Sequence, residues 1–356
     1  MLKPPPLYDL HLKSNAKIVD FAGFAMPINY GSQITEHLST RQSAGIFDVS
    51  HMGVVDITGK QATSFLSYIL ANDIKKLNPN QAMYSCMCNE EGGILDDLII
   101  YKITPEFYRI VVNANTKQKD IIWLKKHSKN FNIEIKTDDS FSIIALQGPD
   151  SQKLLCQAMP EYKDKITDLK KFYSINLKDN YFIARTGYTG EDGFEIISNK
   201  NNLIIDLWQN LIDKKVQPVG LGARDSLRLE AGMNLYGTDM DESTTPLDCG
   251  LKWTLSLKDE RDFIGKNALL EKIDNNTNSF FCGLMLQDKG ILRHQQDIYN
   301  QDKEIIGSIT SGGYSPTLKK SIALARLQTK PTTDIFVKIR DDFKIVRIVK
   351  LPFFKK

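Results

Sequence analysis

At residues 274–279 the chain reads DNNTNS, and the hydrophobic pattern differs in kind on the two sides of this polar stretch. Beyond it, short β-branched runs at 281–286, 305–310, 335–339 and 344–350 are separated by Gly, Asp and Pro turns. That spacing predicts a small all-β, barrel-like C-terminal domain over 280–356. Before it, helix and strand signals interleave. A helix is expected over 32–44, ending at Gly45, with strands at 52–57, 85–87, 98–103 and 108–113. An amphipathic helix follows at 117–128 with Ile121, Leu124 and His127 on one face. Then come a strand at 142–147, a helix from Asp150, and strands at 181–185 and 193–198. One more helix carries Leu203, Leu207 and Leu211, and another lies in 224–233. No regular βαβ spacing is present, so the fold class is α+β. With 356 residues the chain can build more than one core.

Composition narrows the function classes. Hydrophobic residues make up 42% and charged residues 25%, with a formal net charge of +3 spread along the chain. Only the last ten or so residues lean basic, which argues against nucleic acid or a membrane surface as the main partner. The start, MLKPPPLYDL, lacks an apolar signal core, and no stretch nears the ~18–20 apolar residues of a membrane-spanning helix. Five sparse cysteines point to a reduced, cytoplasmic protein. Cys86 and Cys88 form C-x-C, which reads better as small buried residues than as a metal site.

The stretch GGILDDLIIY (92–101) poses a sharper question, because aspartate is depleted in strands and an ionised carboxylate is costly to bury. Either the chain is still turning at the pair, or at least one Asp faces a cavity. If the segment is already extended there, Asp96 and Asp97 point to opposite faces. One then lines a site, and the other caps the turn after Gly92 and Gly93 or pairs locally. Other motifs fail on inspection. GYTGEDG (187–193) lacks the Lys-Ser/Thr ending of a phosphate loop, and Glu191 and Asp192 would repel a phosphate. GLGARD lacks the third glycine of a dinucleotide fingerprint. DMDES begins like a calcium loop, but Thr244 takes the glycine position and Gly250 that of the bidentate Glu. No G-x-S-x-G or H-E-x-x-H occurs.

Longer motifs carry a resemblance. VDFAGFAMPINY (19–30), GIFDVSHMG (45–53), YSCMCNEEGGILDDLIIY (84–101) and ALQGP (145–149) occur in order. RTGYTGEDGFEI (185–196), GLGARDSLRLEAGMNLYGTDMDE (220–242), PLDCGLKW (246–253), DFIGK (262–266) and TSGGYSPTLKKSIALA (310–325) follow. From LYDLH at Leu7 to the LPFF tail, the chain resembles the aminomethyltransferase (T-protein) family of the glycine cleavage system. The resemblance implies three domains in a cloverleaf around a central channel for tetrahydrofolate. Residues 1–274 would form two interleaved α+β parts, 1–50 with 140–274 and 51–139, with the barrel as the third. The implied reaction passes the methylene of an aminomethyl group on the lipoyl arm of H-protein to tetrahydrofolate. Ammonia and 5,10-methylenetetrahydrofolate are released, with no metal and no bound redox cofactor.

The same resemblance assigns residues. Asp97 matches the catalytic aspartate, which would orient the attacking amine and offset positive charge at the methylene. The alternative is a turn Asp accepting backbone N–H bonds. Glu195 and Arg224 match a folate-contacting acid and arginine. A carboxylate suits the amidine-like N–H edge of a pterin, and a guanidinium presents a planar fork. The alternatives are that these two pair with each other, or that Arg224 joins Asp225 and Arg228 on a solvated helix face. Tyr84 and Tyr188 match aromatic walls of the channel, or else are ordinary half-buried tyrosines. Met52 and Asn113 are expected as further lining. His51 invites a general-base reading, against that of a packed histidine fixing a turn. Phe354 stands where related chains commonly have a tyrosine near the folate, and Arg293 lies in a divergent loop, RHQQDIY. The rival functions are a folate-dependent demethylase of a small N- or S-methyl substrate and a non-enzymatic folate-binding protein. This chain has neither a flavin domain nor a K-G-C-[YF]-x-G-Q-E motif.

Overall fold

The structure, a computed structural model, describes residues 2–355. Helices and strands interleave up to Asp274 and, among the described residues, strands without helices follow from Phe280. The fold is therefore α+β with a separate β-barrel. Contacts divide the chain into two compact units. One comprises the chain up to Phe65, Lys75–Met83 and Leu98–Asp225, and the other Leu66–Ile74, Tyr84–Asp97 and everything from Ser226 onward.

In the first unit, a six-stranded sheet runs Ser174–Asn176, Phe182–Ala184, Gly193–Ser198, Ser142–Gln147, Gly45–Asp48, Gln217–Val219. The strand Ser142–Gln147 (SIIALQ) is buried along its whole length, because strands flank it on both sides and a helix covers one face. The helix Asn201–Asp213 buries Ile204, Leu207, Trp208 and Leu211, an i, i+3, i+4, i+7 stripe that joins Ile144, Leu146, Phe194 and Ile196 in one core. Each such fully buried large side chain is worth about 1.5–3 kcal/mol of transfer free energy. Of the residues expected on this face, Leu207 and Leu211 lie in the stripe, whereas Leu203 is only half-buried and Ile204 takes the buried place beside it.

A five-stranded sheet runs Ala82–Cys88, Ile94–Thr104, Phe107–Val112, Gly53–Thr58, Glu134–Thr137. The chain passes from one unit to the other inside its first two strands.

In the second unit the C-terminal strands close into a six-stranded barrel: Phe280–Leu286, Lys320–Leu327, Ile305–Ser315, Asp297–Tyr299, Ile335–Ile339, Asp342–Val349. Two of these, Asp297–Tyr299 and Lys320–Leu327, are absent from the sequence reading. The physical reason for the second is clear. In KSIALARL, Ala323, Ala325 and Leu327 point into the barrel core, while Ile322 and Leu324 meet Leu229 in a second cluster. With both faces buried the strand has no polar alternation to reveal it. Among the described residues, no helix is long and apolar enough to cross a membrane.

Candidate active site

The hairpin of Ala82–Cys88 and Ile94–Thr104 explains the glycine pair and the two aspartates. At its turn, Gly93 N–H donates to Asn89 Oδ1 at 2.7 Å, and Asn89 N–H donates to the Gly93 carbonyl at 2.9 Å. Gly92 adopts φ +81°, and a Cβ on Gly93 would overlap the Glu242 carbonyl. One glycine thus serves a left-handed turn and the other a close backbone approach. Gly92 N–H goes to the Asn89 carbonyl and Ile94 N–H to those of Asp241 and Thr244. Of the two roles expected for the second aspartate, capping this turn falls to Asn89, which leaves local pairing as the alternative for Asp96.

The strand begins at Ile94, so the chain is extended at the pair and the side chains alternate. Asp96 is fully buried on the side of Ile94, Leu98 and Ile100. Asp97 falls on the other side and is half-buried. Tyr84 donates its hydroxyl to Asp97 Oδ2 at 2.8 Å. Trp253 stacks on the Tyr84 ring, with centroids 5.7 Å apart and planes inclined by 22°. Cys86 and Cys88, on the same strand, are fully buried, and burial pushes both thiols up, Cys88 to about 12. Such thiols stay protonated at neutral pH, which suits the small-buried-residue reading of C-x-C. Among the described residues, no group of three or more His, Cys, Asp or Glu is arranged to hold a metal ion.

Two other sequence candidates belong to this unit. Phe354 is half-buried, and its N–H donates to the Glu230 carbonyl at 3.2 Å. The buried Glu230 carboxylate in turn accepts the hydroxyls of Ser315 at 2.5 Å and Thr317 at 2.9 Å. The tail is held by this backbone bond and by Leu351 and Phe353, which pack against Leu229, Ile322 and Leu324. Arg293 is exposed. Its loop folds on itself, with Arg293 N–H on Gln296 Oε1 at 2.7 Å and Gln295 left-handed at φ +64°.

The second group of candidates is built on the six-stranded sheet. Glu195 is the half-buried member of the strand Gly193–Ser198, whose pattern is otherwise buried. Its Oε2 accepts the Thr186 hydroxyl at 2.5 Å and, more distantly, that of Tyr101 at 3.4 Å. Tyr101 is fully buried, and burial together with the Glu195 charge pushes its phenol far above the ordinary range, so it remains a neutral donor. Arg224 lies on the helix Leu221–Glu230 with its guanidinium 4.7 Å from the Tyr188 ring centroid. Among the described residues Arg224 and Glu195 make no salt bridge within 4 Å, although Glu195 and Tyr188 both act on Arg224 electrostatically. Burial outweighs them and pulls the guanidinium below its usual range. The solvated-face alternative also fails: Arg228, one turn on, is 2% exposed and donates to Asp239 at 2.8 Å.

His51 is buried edge-on to Phe21, ring centroids 5.1 Å apart, and its Nδ1 has no hydrogen-bond partner among the described residues. Burial first, then the Arg224 charge, lowers its pKa to about 4, with Asp48 opposing. A neutral, packed imidazole fits the structural alternative better than the general base. Met52 and Asn113 are both half-buried, and the Asn113 carbonyl accepts the Lys117 N–H that opens the helix Lys117–His127.

The discarded motifs have structural explanations. In GYTGEDG, Glu191 accepts Arg41 at 2.9 Å and Asp192 accepts Arg185 through two bonds of 3.0 and 2.6 Å. A Cβ on Gly187 would overlap the Gln147 side chain, whose Nε2 donates to the Thr186 carbonyl and whose Oε1 accepts the Thr189 hydroxyl. The loop therefore presents Thr186 and Tyr188 on a fixed frame. In DMDES, Asp239 is buried and accepts from Arg228, Thr310, Ser311 and the Leu235 N–H. It joins a helix and a barrel strand of one unit, a role no sequence signal announced. Thr186, Tyr101 and Trp253 were also missed as side chains of interest, though all three stand inside the motifs quoted above.

Two family descriptions match the chain: the GCVT N-terminal domain over residues 7–259 and the glycine cleavage T-protein C-terminal barrel domain over residues 281–355. The aminomethyltransferase of Francisella philomiragia subsp. philomiragia is 48% identical over 357 residues, covering 100% of this chain and 98% of its own. That of Nitrosomonas eutropha is 49% identical over 362 residues, covering 99% and 98%. Among solved structures, the glycine cleavage system aminomethyltransferase T from Bartonella henselae superposes with a TM-score of 0.93 at 35% identity, over 99% of this chain and 98% of that one.

Proposed function

The chain belongs to the glycine cleavage T-protein family and is an aminomethyltransferase, and on that premise we propose its substrates and the residues that act on them. The donor is the aminomethyl group on the lipoyl arm of H-protein, and the acceptor is tetrahydrofolate. Ammonia leaves, the methylene carbon bridges N5 and N10 of the folate, and the dihydrolipoyl carrier is released. The domain reading that accompanies this is 1–50 with 140–274, 51–139 and 280–356.

The observation that carries the reading is the half-buried Asp97 carboxylate, oriented by the Tyr84 hydroxyl at 2.8 Å while its neighbour Asp96 is sealed in the core. A carboxylate so held stabilises positive charge as it develops on the transferring carbon, without having to reorganise. It also orients the attacking amine. Glu195 supports binding by accepting from the pterin N–H edge, its carboxylate already aimed by Thr186 and Tyr101. Arg224, spread over the Tyr188 face and without a salt-bridge partner among the described residues, supplies a fork for a carbonyl or carboxylate oxygen. Met52, Asn113 and Phe354 complete the lining we propose.

The test is ammonia release from lipoylated, aminomethyl-loaded H-protein in the presence of tetrahydrofolate. Turnover that needs both substrates is the expected result. Turnover of dimethylglycine or of a sulfonium methyl donor alone would move the chain to the demethylases, and folate binding without any turnover would make it a carrier.

A further inference from the structure

Trp253 is 67% exposed, an unusual place for so large an apolar side chain. It lies in the short turn Lys252–Thr254, which is well anchored. The buried Thr254 hydroxyl donates to the Leu251 carbonyl at 2.8 Å and sits 3.8 Å from Cys86 Sγ, on the strand that carries Tyr84. Asn72 Nδ2 donates to the Tyr84 carbonyl at 3.0 Å, fixing that strand from another side. With both backbones held, the indole covers the phenol ring of Tyr84, and among the described residues that is the ring Trp253 packs against. A tyrosine on a strand can turn about its two side-chain torsions, and a ring packed on its face restricts both. The direction of the phenol oxygen, 2.8 Å from Asp97 Oδ2, is thereby restricted as well.

We propose that Trp253 is a positioning residue for the transfer: packed on Tyr84, it fixes the hydroxyl that holds the Asp97 carboxylate. The inference rests on the reading of Asp97 given above. It explains why an indole is left facing water on a turn that is otherwise secured by buried polar contacts.

The full-length enzyme tests this in the ammonia-release assay, with loaded H-protein and tetrahydrofolate. Trp253→Leu is expected to lower kcat on the order of tenfold, because a small displacement of a reacting group is enough for such a loss. The melting temperature should hold within about 2 °C, as for other exposed positions. Trp253→Phe keeps an aromatic face and should restore most of the rate. Tyr84→Phe alone and the double variant Tyr84→Phe/Trp253→Leu should lose about the same, since the indole acts through the hydroxyl. Without any substrate, the Tyr84 ring-proton resonances should shift in Trp253→Leu. An unchanged kcat in Trp253→Leu, no rescue by Phe, additive losses in the double variant, or unmoved Tyr84 resonances would each overturn the proposal. Asp97→Asn separates this from the parent reading. If Asp97→Asn retains turnover, the assignment of Asp97 falls and the positioning role falls with it. If Asp97→Asn is inactive while Trp253→Leu is not, the positioning role alone falls.

Discussion

Glu195 and Asp97 are both half-buried strand carboxylates oriented by hydroxyls, yet they are built differently. Glu195 sits on a strand paired on both sides, opposite Ala184 and Ala145, and one of its oxygens receives two hydroxyls. Asp97 sits four residues from a hairpin turn, with the Tyr84 hydroxyl on it and an exposed indole behind that tyrosine. The first arrangement suits a binding group, whose partner is the same before and after reaction. The second suits a group that must already be aimed when positive charge develops beside it. The difference teaches that two equally buried carboxylates can be held by different kinds of support, hydroxyls on a central strand for one and a ring-packed tyrosine near a turn for the other.

The comparison is broken most severely at Asp97. Asp97→Asn keeps shape and removes charge, so it should fold normally and bind folate but lose kcat on the order of 10²-fold or more. Single-turnover kinetics on this variant and on Asp96→Asn decide which carboxylate acts. Asp96, sealed in the core, should lower thermal stability and spare turnover.

A second test concerns the charges around Arg224. The folded-state pKa of His51, about 4, lies below the unfolded value near 6.5, so the unfolded chain binds the extra proton in between. Stability therefore rises with pH through that window and falls on acidification, by up to about 3 kcal/mol from this one group. His51→Gln should flatten the fall in denaturation midpoint between pH 6.5 and 4. An unaltered slope would show that the imidazole is not held neutral beside Arg224.

Smaller effects probe the Glu195 arm. Glu195→Ala should weaken folate binding by about 1.5–3 kcal/mol, the worth of hydrogen bonds to a charged group, as read by calorimetry. An unchanged dissociation constant would make Glu195 purely structural. Thr186→Val removes one of the two aiming hydroxyls and should cost about 0.5–1.5 kcal/mol of binding, with kcat nearly unchanged. A larger effect on kcat than on binding would erase the distinction between the two carboxylates.

Much of this was legible beforehand for identifiable reasons. The stripe of Leu207 and Leu211 and the break at 274–279 are local signals, written at the period of a helix and in the composition of a linker. The rule that adjacent strand residues face opposite ways needs only covalent geometry, so the separation of Asp96 from Asp97 followed once the strand was extended. The long ordered motifs carried the family and, through it, the roles proposed above for Asp97, Glu195 and Arg224. The strand Lys320–Leu327 was hidden because both of its faces are buried, which removes the alternation by which a strand is read.

What the tertiary structure alone decided are contacts between residues far apart in the chain. That Asn89 rather than an aspartate caps the turn depends on a loop some 150 residues later closing over Gly93. That Glu191 and Asp192 are spoken for depends on Arg41 and Arg185. That Trp253 lies on Tyr84 depends on the turn anchored beside Cys86. Sequence determines which groups are available and how each segment alternates, because those properties are local. Which carboxylate is sealed, which is ion-paired and which is held by a hydroxyl is set by burial and by partners that only folding brings within about 3 Å, where a hydrogen bond exists at all.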